Sequence, residues 1–300
     1  MRAQSARDRS GRRRSVARLL GLIAATAVPL ALQAAEPPLT PLIMGVFPRY
    51  KATETITMFK PLADHLSEQL GRQVTLVTAK DFDAFWKAVT EKRYDIVHYN
   101  QYHYIHSAHN YRVIAHQQEF DKDAVAGALF VRKDAGITEI SQLRGRRIIF
   151  GGGKDAMLSY IAPRFLLMQA GLNEGDFKSE FAVNPPNALL ALFHKQADAA
   201  GGGAILIDMP VVKNAINAHE LTVLAKTEPL LFLPWAVKRT MAAKLRESIQ
   251  STMVGLGSSD QGQKVLSAAK ATGMGKADDN DYNPHRKMTT AVFGREGIAR

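Results

Sequence analysis

Apolar positions along the chain change rhythm repeatedly, from short continuous runs to spacings of three and four. Leu42-Ile43-Met44-Gly45-Val46-Phe47 reads as a buried strand. Ile56, Phe59, Leu62, Ala63, Leu66 and Leu70 then recur at helical spacing, with Gly71 where a helix cap belongs. Pro61 falls inside that pattern, so the helix is expected to kink or to start there. Val74–Val77 is the next strand, and Phe82, Phe85, Trp86 and Val89 mark a helix with Asp81 as N-cap. Tyr94–His98, a helix near 101–109 and Tyr111–Ala115 complete a first block.

After the polar stretch Gln117–Asp123 the rhythm restarts. Val125–Val131 and Arg147–Phe150 read as strands, and a helix through Met157, Leu158, Ile161, Phe165, Leu166 and Met168 closes at Gly171. Phe181–Val183, Ala197–Ala200 and Leu221–Ala225 are strands, with Ala188–His194 a helix between the first two. Thr227–Pro234, bearing two prolines, is a second connecting stretch, and the tail is mainly helical over Met241–Leu256 and 261–271. Alternating strands and helices imply an α/β protein with mostly parallel sheets. Two blocks joined at about 117–124 and 227–234 imply two lobes, the second inserted in the first. The expected boundaries are 36–122 with 230–300 for lobe 1 and 123–229 for lobe 2.

Charge changes the picture less than it first promises. The 300 residues carry a formal charge of +11 and no cysteine, which excludes a disulfide scaffold, a Cys-ligated zinc module and thiol catalysis. Residues 1–35, however, hold seven arginines against one aspartate, so six of the eleven excess charges lie there. That segment runs from the basic stretch into the apolar Leu19–Leu32 and ends in Ala34-Ala35, the three parts of a secretory signal peptide. The apolar run is short for a membrane span, although a retained anchor is the competing reading. Removal of the segment leaves about 265 residues with a charge of only +5, and no basic-aromatic motif, so nucleic acid is not an expected partner.

Candidate chemistry lies in three places. Gly151-Gly152-Gly153-Lys154-Asp155 follows a strand and precedes a helix, where bare backbone and helix amides favour an anion. It lacks P-loop spacing, and a purely structural tight turn is the bland alternative. Gly201-Gly202-Gly203 reads as a second such turn. Five of the nine histidines (His98, His103, His106, His109, His116) fall within nineteen residues, interleaved with tyrosines. On a helix His103 and His106 share one face, so a metal site using His98, His103 and His106 is one reading and a polar aromatic wall is the other. No nucleophile elbow or paired acid and base is visible, so an enzyme is not expected.

The order and spacing of these segments resemble a known family. Leu42–Phe47, Pro61–Gly71, Phe82–Val89, Tyr94–Val97, Phe150-Gly151 to Tyr160 and Pro163, Leu166–Leu172, Asn187–Ala200 and Asp281-Tyr282 carry the likeness. Together, over nearly all of 40–293, they resemble the periplasmic solute-binding proteins of phosphate/phosphite/phosphonate ABC transporters. The resemblance implies a two-lobed type II periplasmic-binding-protein fold, each lobe a mostly parallel sheet flanked by helices, with two crossovers at the hinge. It implies capture of a small, anionic ligand such as phosphate, phosphite or a phosphonate-like compound, without cofactor or reaction. It also implies a monomer in the periplasm that docks on an inner-membrane permease with a separate ATPase. A ligand-sensing subunit for a sensor kinase would use the same closed form.

The likeness and the residues together nominate Tyr50, His98, Tyr99 and Tyr104 from lobe 1, with Arg49 adding charge. From lobe 2 they nominate Gly152, Gly153, Lys154, Asp155 and Asn187. The chain departs from the family where relatives carry a Ser-Thr-Ser oxyanion loop: here stand Ala156, Met157 and Leu158. Asn100-Gln101 replaces a frequent Gly-Pro, and Asn187 and Gly203 stand where acids would meet an aminoalkyl group, so an aminoalkylphosphonate is disfavoured.

Overall fold

The computed structural model describes residues 39–294, and the expected export segment 1–35 lies outside them. The chain enters through β1 (Leu42–Val46), α1 (Ala52–Leu70), β2 (Val74–Thr78), α2 (Phe82–Thr90), β3 (Ile96–His98), α3 (Gln101–Ser107) and β4 (Tyr111–Gln118). It crosses by β5 (Ala124–Val125) into β6 (Gly127–Arg132), β7 (Arg147–Gly151), α4 (Ala162–Gln169), β8 (Lys178–Ala182) and α5 (Pro185–Phe193). That part ends with β9 (Ala199–Gly203), α6 (Pro210–Lys213) and β10 (Leu221–Lys226). The chain returns by β11 (Leu230–Leu231) to β12 (Pro234–Lys238), α7 (Ala243–Val254), α8 (Asp260–Ala268), β13 (Gly273–Lys276) and α9 (Asn283–Phe293).

Two large sheets result, a six-stranded one ordered β13-β4-β12-β3-β1-β2 and a five-stranded one ordered β10-β6-β9-β7-β8, with a two-stranded β11-β5 ribbon between the blocks' connections. The trios β3-β1-β2 and β9-β7-β8 are parallel, as the alternating pattern requires. Strands next to a crossing run against them: β12 is antiparallel to β3 and β4, and β6 to β9, because each enters its sheet from the other block. The two connections lie side by side, since Val125 pairs with Leu230 and Ala124 with Leu231. The first one begins later than its polar composition implies: β4 continues through Gln117 and Gln118 because β13 covers its edge there.

Local chemistry explains where elements start and stop. Asp81 accepts a hydrogen bond from the Ala84 amide and caps α2 as expected. Gly71 ends α1 in the left-handed region, at φ 58°. α1 begins at Ala52, well before Pro61, and passes through the proline. The carbonyl that Pro61 leaves without an amide belongs to Thr57, an exposed residue on the solvent side of the helix. The buried stripe Met58, Phe59, Leu62, Ala63 and Leu66 supplies the packing that holds the helix together across that gap.

One expectation fails in this part of the molecule. Gly201-Gly202-Gly203 is not a turn but the end of β9, paired with β6 through Gly127↔Gly203 and Leu129↔Gly201. Gly201 and Gly202 answer to crowding: a Cβ on Gly201 would lie 2.6 Å from both the Phe150 ring and the Ser159 carbonyl, and one on Gly202 would lie 2.3 Å from the Leu206 side chain. The tail also holds more than two helices, since β13 joins the first sheet and α9 follows it. Met288 of α9 is buried with Leu129, Phe150, Tyr160 and Leu167 of the second block, so the last helix packs on α4. No helix among the described residues is long and apolar enough to cross a membrane.

Candidate functional site

The carboxyl ends of the parallel strands of both sheets meet at one cleft, which is where open α/β sheets bind ligands. Phe47 and Arg49 follow β1, and Asn100 and Gln101 follow β3. Gly151, Gly152 and Gly153 end β7, Val183 and Asn184 follow β8, and Phe232 and Leu233 come from the returning connection. They enclose a cavity of about 760 Å³. A second chamber of about 410 Å³ shares Arg49, Leu158, Ser159, Asn184, Pro185 and Phe232 with the first.

The floor of the main chamber is a glycine turn running into a helix. Gly151 must be bare, because a Cβ there would lie 2.2 Å from the Pro185 Cα, and Gly152 has φ 89°. A wide π-helical turn, Met157–Ile161, follows and leads straight into α4. Its leading amides, those of Met157, Leu158 and Ser159, have no acceptor among the described residues, and all three residues line the cavity. The Ser159 hydroxyl also makes no hydrogen bond among the described residues. A helix start leaves such amides unsatisfied, and their aligned dipoles favour an anion.

The opposite wall carries one guanidinium. Arg49 donates to Glu119 through both terminal nitrogens, at 2.8 and 3.3 Å, and Gln117 donates to the same carboxylate at 3.1 Å. This fork fixes Arg49 at the boundary of the two chambers and leaves its Nε with no acceptor among the described residues. Asn100 caps α3 by accepting from the His103 amide at 2.8 Å, and its Nδ2 reaches the Asp155 carbonyl at 3.5 Å across the cleft. Asn184 caps α5 by accepting from the Asn187 amide at 3.0 Å, and the residue lines both chambers. Burial, with the neighbouring Asp83 carboxylate, raises the Asp155 pKa.

Of the nine nominated residues, Gly152, Gly153 and Asp155 line the main chamber and Tyr50 lines the second. Lys154 and Asn187 are exposed and lie outside the lining of both. His98, Tyr99 and Tyr104 are buried in the core of the first block and line neither chamber. The His98 ring stacks on Trp235 with centroids 4.2 Å apart and planes 10° from parallel. Its Nδ1 donates to the Pro234 carbonyl at 3.1 Å. Burial pushes its pKa down to about 3, so it is a neutral core residue. Tyr99 donates to Ser107, which in turn donates to the Tyr104 carbonyl, and Tyr104 donates to Asp279 at 2.5 Å.

The remaining histidines disperse in the same way. His103 stacks on Phe82 and tilts against Trp86, with its pKa driven down to about 3 by burial and by His106. His106 packs on Tyr102, and His116 pairs with Asp123 at 2.8 Å. Among the described residues no three His, Asp or Glu side chains converge to hold a metal ion, so His98, His103 and His106 do not form the alternative metal centre. Their type and spacing promised a site, but His98 on β3 packs on Trp235 while His103 and His106 on α3 pack against Trp86, so all three serve as aromatic packing positions.

Ser159 and Asn184 are the polar residues that sequence reasoning missed. Ser159 directly follows Ala156-Met157-Leu158, where attention to side-chain hydroxyls obscured the free amides. Asn184 had a readable signal, an Asn ahead of Pro185-Pro186 at a helix start.

Residues 44–282 match the family model described as the periplasmic substrate-binding protein of phosphonate ABC transporters. The chain belongs to this family. It is therefore the periplasmic substrate-binding component of an ABC-type transporter, with a small-molecule ligand and with permease and ATPase partners. Solved structures share its two-lobed type II fold. A Prochlorococcus marinus protein, PhnD1, in complex with methylphosphonate is 17% identical, with a TM-score of 0.69 over 85% of this chain and 98% of that one. The binding protein component of an ABC phosphonate transporter from Pseudomonas aeruginosa is 15% identical, with a TM-score of 0.66 over 86% and 87%. A Xanthomonas citri protein bound to chloride is 16% identical, with a TM-score of 0.72 over 84% and 97%.

Proposed function

We propose that this binding protein captures a small organic oxyanion, a phosphonate or sulfonate carrying an apolar substituent, between its lobes. The observation that carries the reading is the set of unpartnered amides of Met157, Leu158 and Ser159, with the Ser159 hydroxyl, open to a cavity that also contains Arg49. Such amides hold an oxyanion without any hydroxyl-rich loop. The hydroxyls that relatives place at 156–158 are thereby dispensable. Phe47, Phe82, Met157, Leu158, Val183 and Phe232 make much of the rest of the wall apolar, which favours an organic substituent over bare phosphate. Asp83 and Asp155 in the same chamber disfavour a fully charged inorganic dianion. The methylphosphonate held by the Prochlorococcus relative supports the same ligand class.

Capture works by differential affinity. Arg49 and Asn100 come from the lobe we assign to 36–122 and 230–300, the helix amides from the lobe 123–229. A ligand that touches both stabilises the closed form, with the paired connections at Val125 and Leu230 as the hinge. The protein acts as a monomer, performs no reaction on its ligand, and delivers it to the permease.

Calorimetric titration with phosphate, phosphite, methylphosphonate, butylphosphonate and the matching alkanesulfonates tests this. The organic oxyanions are expected to bind, more tightly by roughly fourfold per buried methylene, and inorganic phosphate to bind most weakly. Absence of binding by every oxyanion, or a preference for inorganic phosphate, would refute the reading.

A further inference from the structure

The second chamber is large enough to be a small-molecule site by itself, at about 410 Å³. Its boundary with the first carries three polar residues, Arg49, Ser159 and Asn184, that line both spaces. Beyond that boundary the character changes. The main chamber holds Asp83, Asn100, Gln101 and Asp155, whereas the second is walled by Tyr50, Phe120, Pro186, Ile205, Leu206 and Met209. Its one carboxylate, Glu119, is spent on Arg49. At Gly203 the nearest side chains a Cβ would meet are Val125 and Leu158 at ordinary distances, 3.4 and 3.5 Å, and the backbone there is extended, at φ −69° and ψ 139°. Glycine is not required at this position by backbone or crowding. Gly203 lines the second chamber, so a larger side chain there would take up part of its space.

We propose that this second chamber is a binding subsite for an apolar arm of the ligand. The head group sits at the shared boundary, one substituent occupies the main chamber, and a second occupies the space walled by Ile205 and Met209. The ligand class is then a singly charged oxyanion with two organic arms, such as a phosphonate monoester. A single charge also suits a cleft in which one guanidinium is already matched by Glu119. The inference rests on the oxyanion reading of the cleft and deepens it.

The test compares the mono-methyl and mono-hexyl esters of methylphosphonate, which carry the same charge, by calorimetry with the whole protein. Five added methylenes in an apolar chamber are expected to tighten binding at least about thirtyfold. Gly203→Leu, at a position that lines the second chamber and not the main one, should collapse the hexyl-to-methyl affinity ratio to within about threefold of unity. Ile205→Trp should do the same from another position of the chamber wall, and stands in if Gly203→Leu does not fold by thermal unfolding. Equal affinities for the two esters, or a ratio that survives in both variants, would overturn the second-chamber assignment. Binding of methylphosphonate with no gain from the hexyl arm sinks this inference alone, whereas failure of all three compounds to bind sinks the oxyanion reading with it.

Discussion

The histidine-rich stretch of the first lobe and the glycine-led turn of the second make opposite use of their side chains. Residues 98–106 carry three imidazoles and three tyrosines, yet His98 stacks on Trp235 and Tyr99 and Tyr104 are fully buried. Residues 151–159 carry three glycines, an alanine, a methionine and a leucine beside Lys154, Asp155 and Ser159, and the amides of 157–159 have no acceptor among the described residues. Rich side-chain chemistry is consumed by packing and internal hydrogen bonds. Poor side-chain chemistry leaves the backbone bare, and a backbone at a helix start is itself a ligand for anions. In the proposed reading, binding capacity follows unsatisfied donors, not residue type.

The largest effect that sharpens this contrast is expected from Trp235→Ala. The indole is fully buried against His98 and Phe59, so its loss should cost about 3–5 kcal/mol of stability by chemical denaturation. Oxyanion affinity of the surviving folded protein should stay within a fewfold of the parent's, and a large affinity loss would show that the histidine stretch does contact ligand. Acid sensitivity comes next. His98 and His103 have pKa values lowered to about 3 and His285 to about 4, all through burial. Because the folded values lie below the unfolded value near 6.5, their stabilising contribution is complete above pH 6.5 and is lost as pH falls. At pH 4 His98 and His103 should each cost roughly 3 kcal/mol relative to neutral pH. A flat denaturation midpoint between pH 7 and 4 would contradict neutral, buried imidazoles.

Ser159→Ala should act in the reverse sense to Trp235→Ala. Removal of one hydroxyl donor to a charged head group should weaken oxyanion binding about tenfold or more, with little change in the melting temperature. Unchanged affinity in calorimetry would remove the hydroxyl from the site. The smallest effect belongs to Lys154→Ala. This side chain is exposed and lies outside the cavity lining, so affinity should change less than about twofold, although its charge and place in the turn single it out in the sequence.

Much of the fold was legible from periodicity alone. The capped helix after Asp81, the strands around Met44 and Ile149, and the two connections all stood in the pattern of apolar positions. What escaped notice depended on neighbours distant in sequence. Gly201-Gly202-Gly203 looks like a turn until the Phe150 ring and the Ser159 carbonyl are seen pressing on it. β13 contains two glycines and is a strand because the edge of β4 is there to receive it. At the site, the glycine turn at 151–153 and Asp155 were readable, because a strand followed by glycines and a helix start has a physical meaning in one dimension. The fate of His98, Tyr99 and Tyr104 was not, since burial against Trp235, Ser107 and Asp279 is settled only by tertiary packing.

The central claim is that backbone amides, not imidazoles, hold the ligand. Heteronuclear NMR during titration with methylphosphonate tests it most directly, by following the amides of Met157, Leu158 and Ser159 together with the ring resonances of His98 and His103. The account predicts large downfield shifts of those three amides at saturation, with both rings remaining neutral and nearly unmoved. Static amides at 157–159, with shifts concentrated on the two imidazoles, would contradict it.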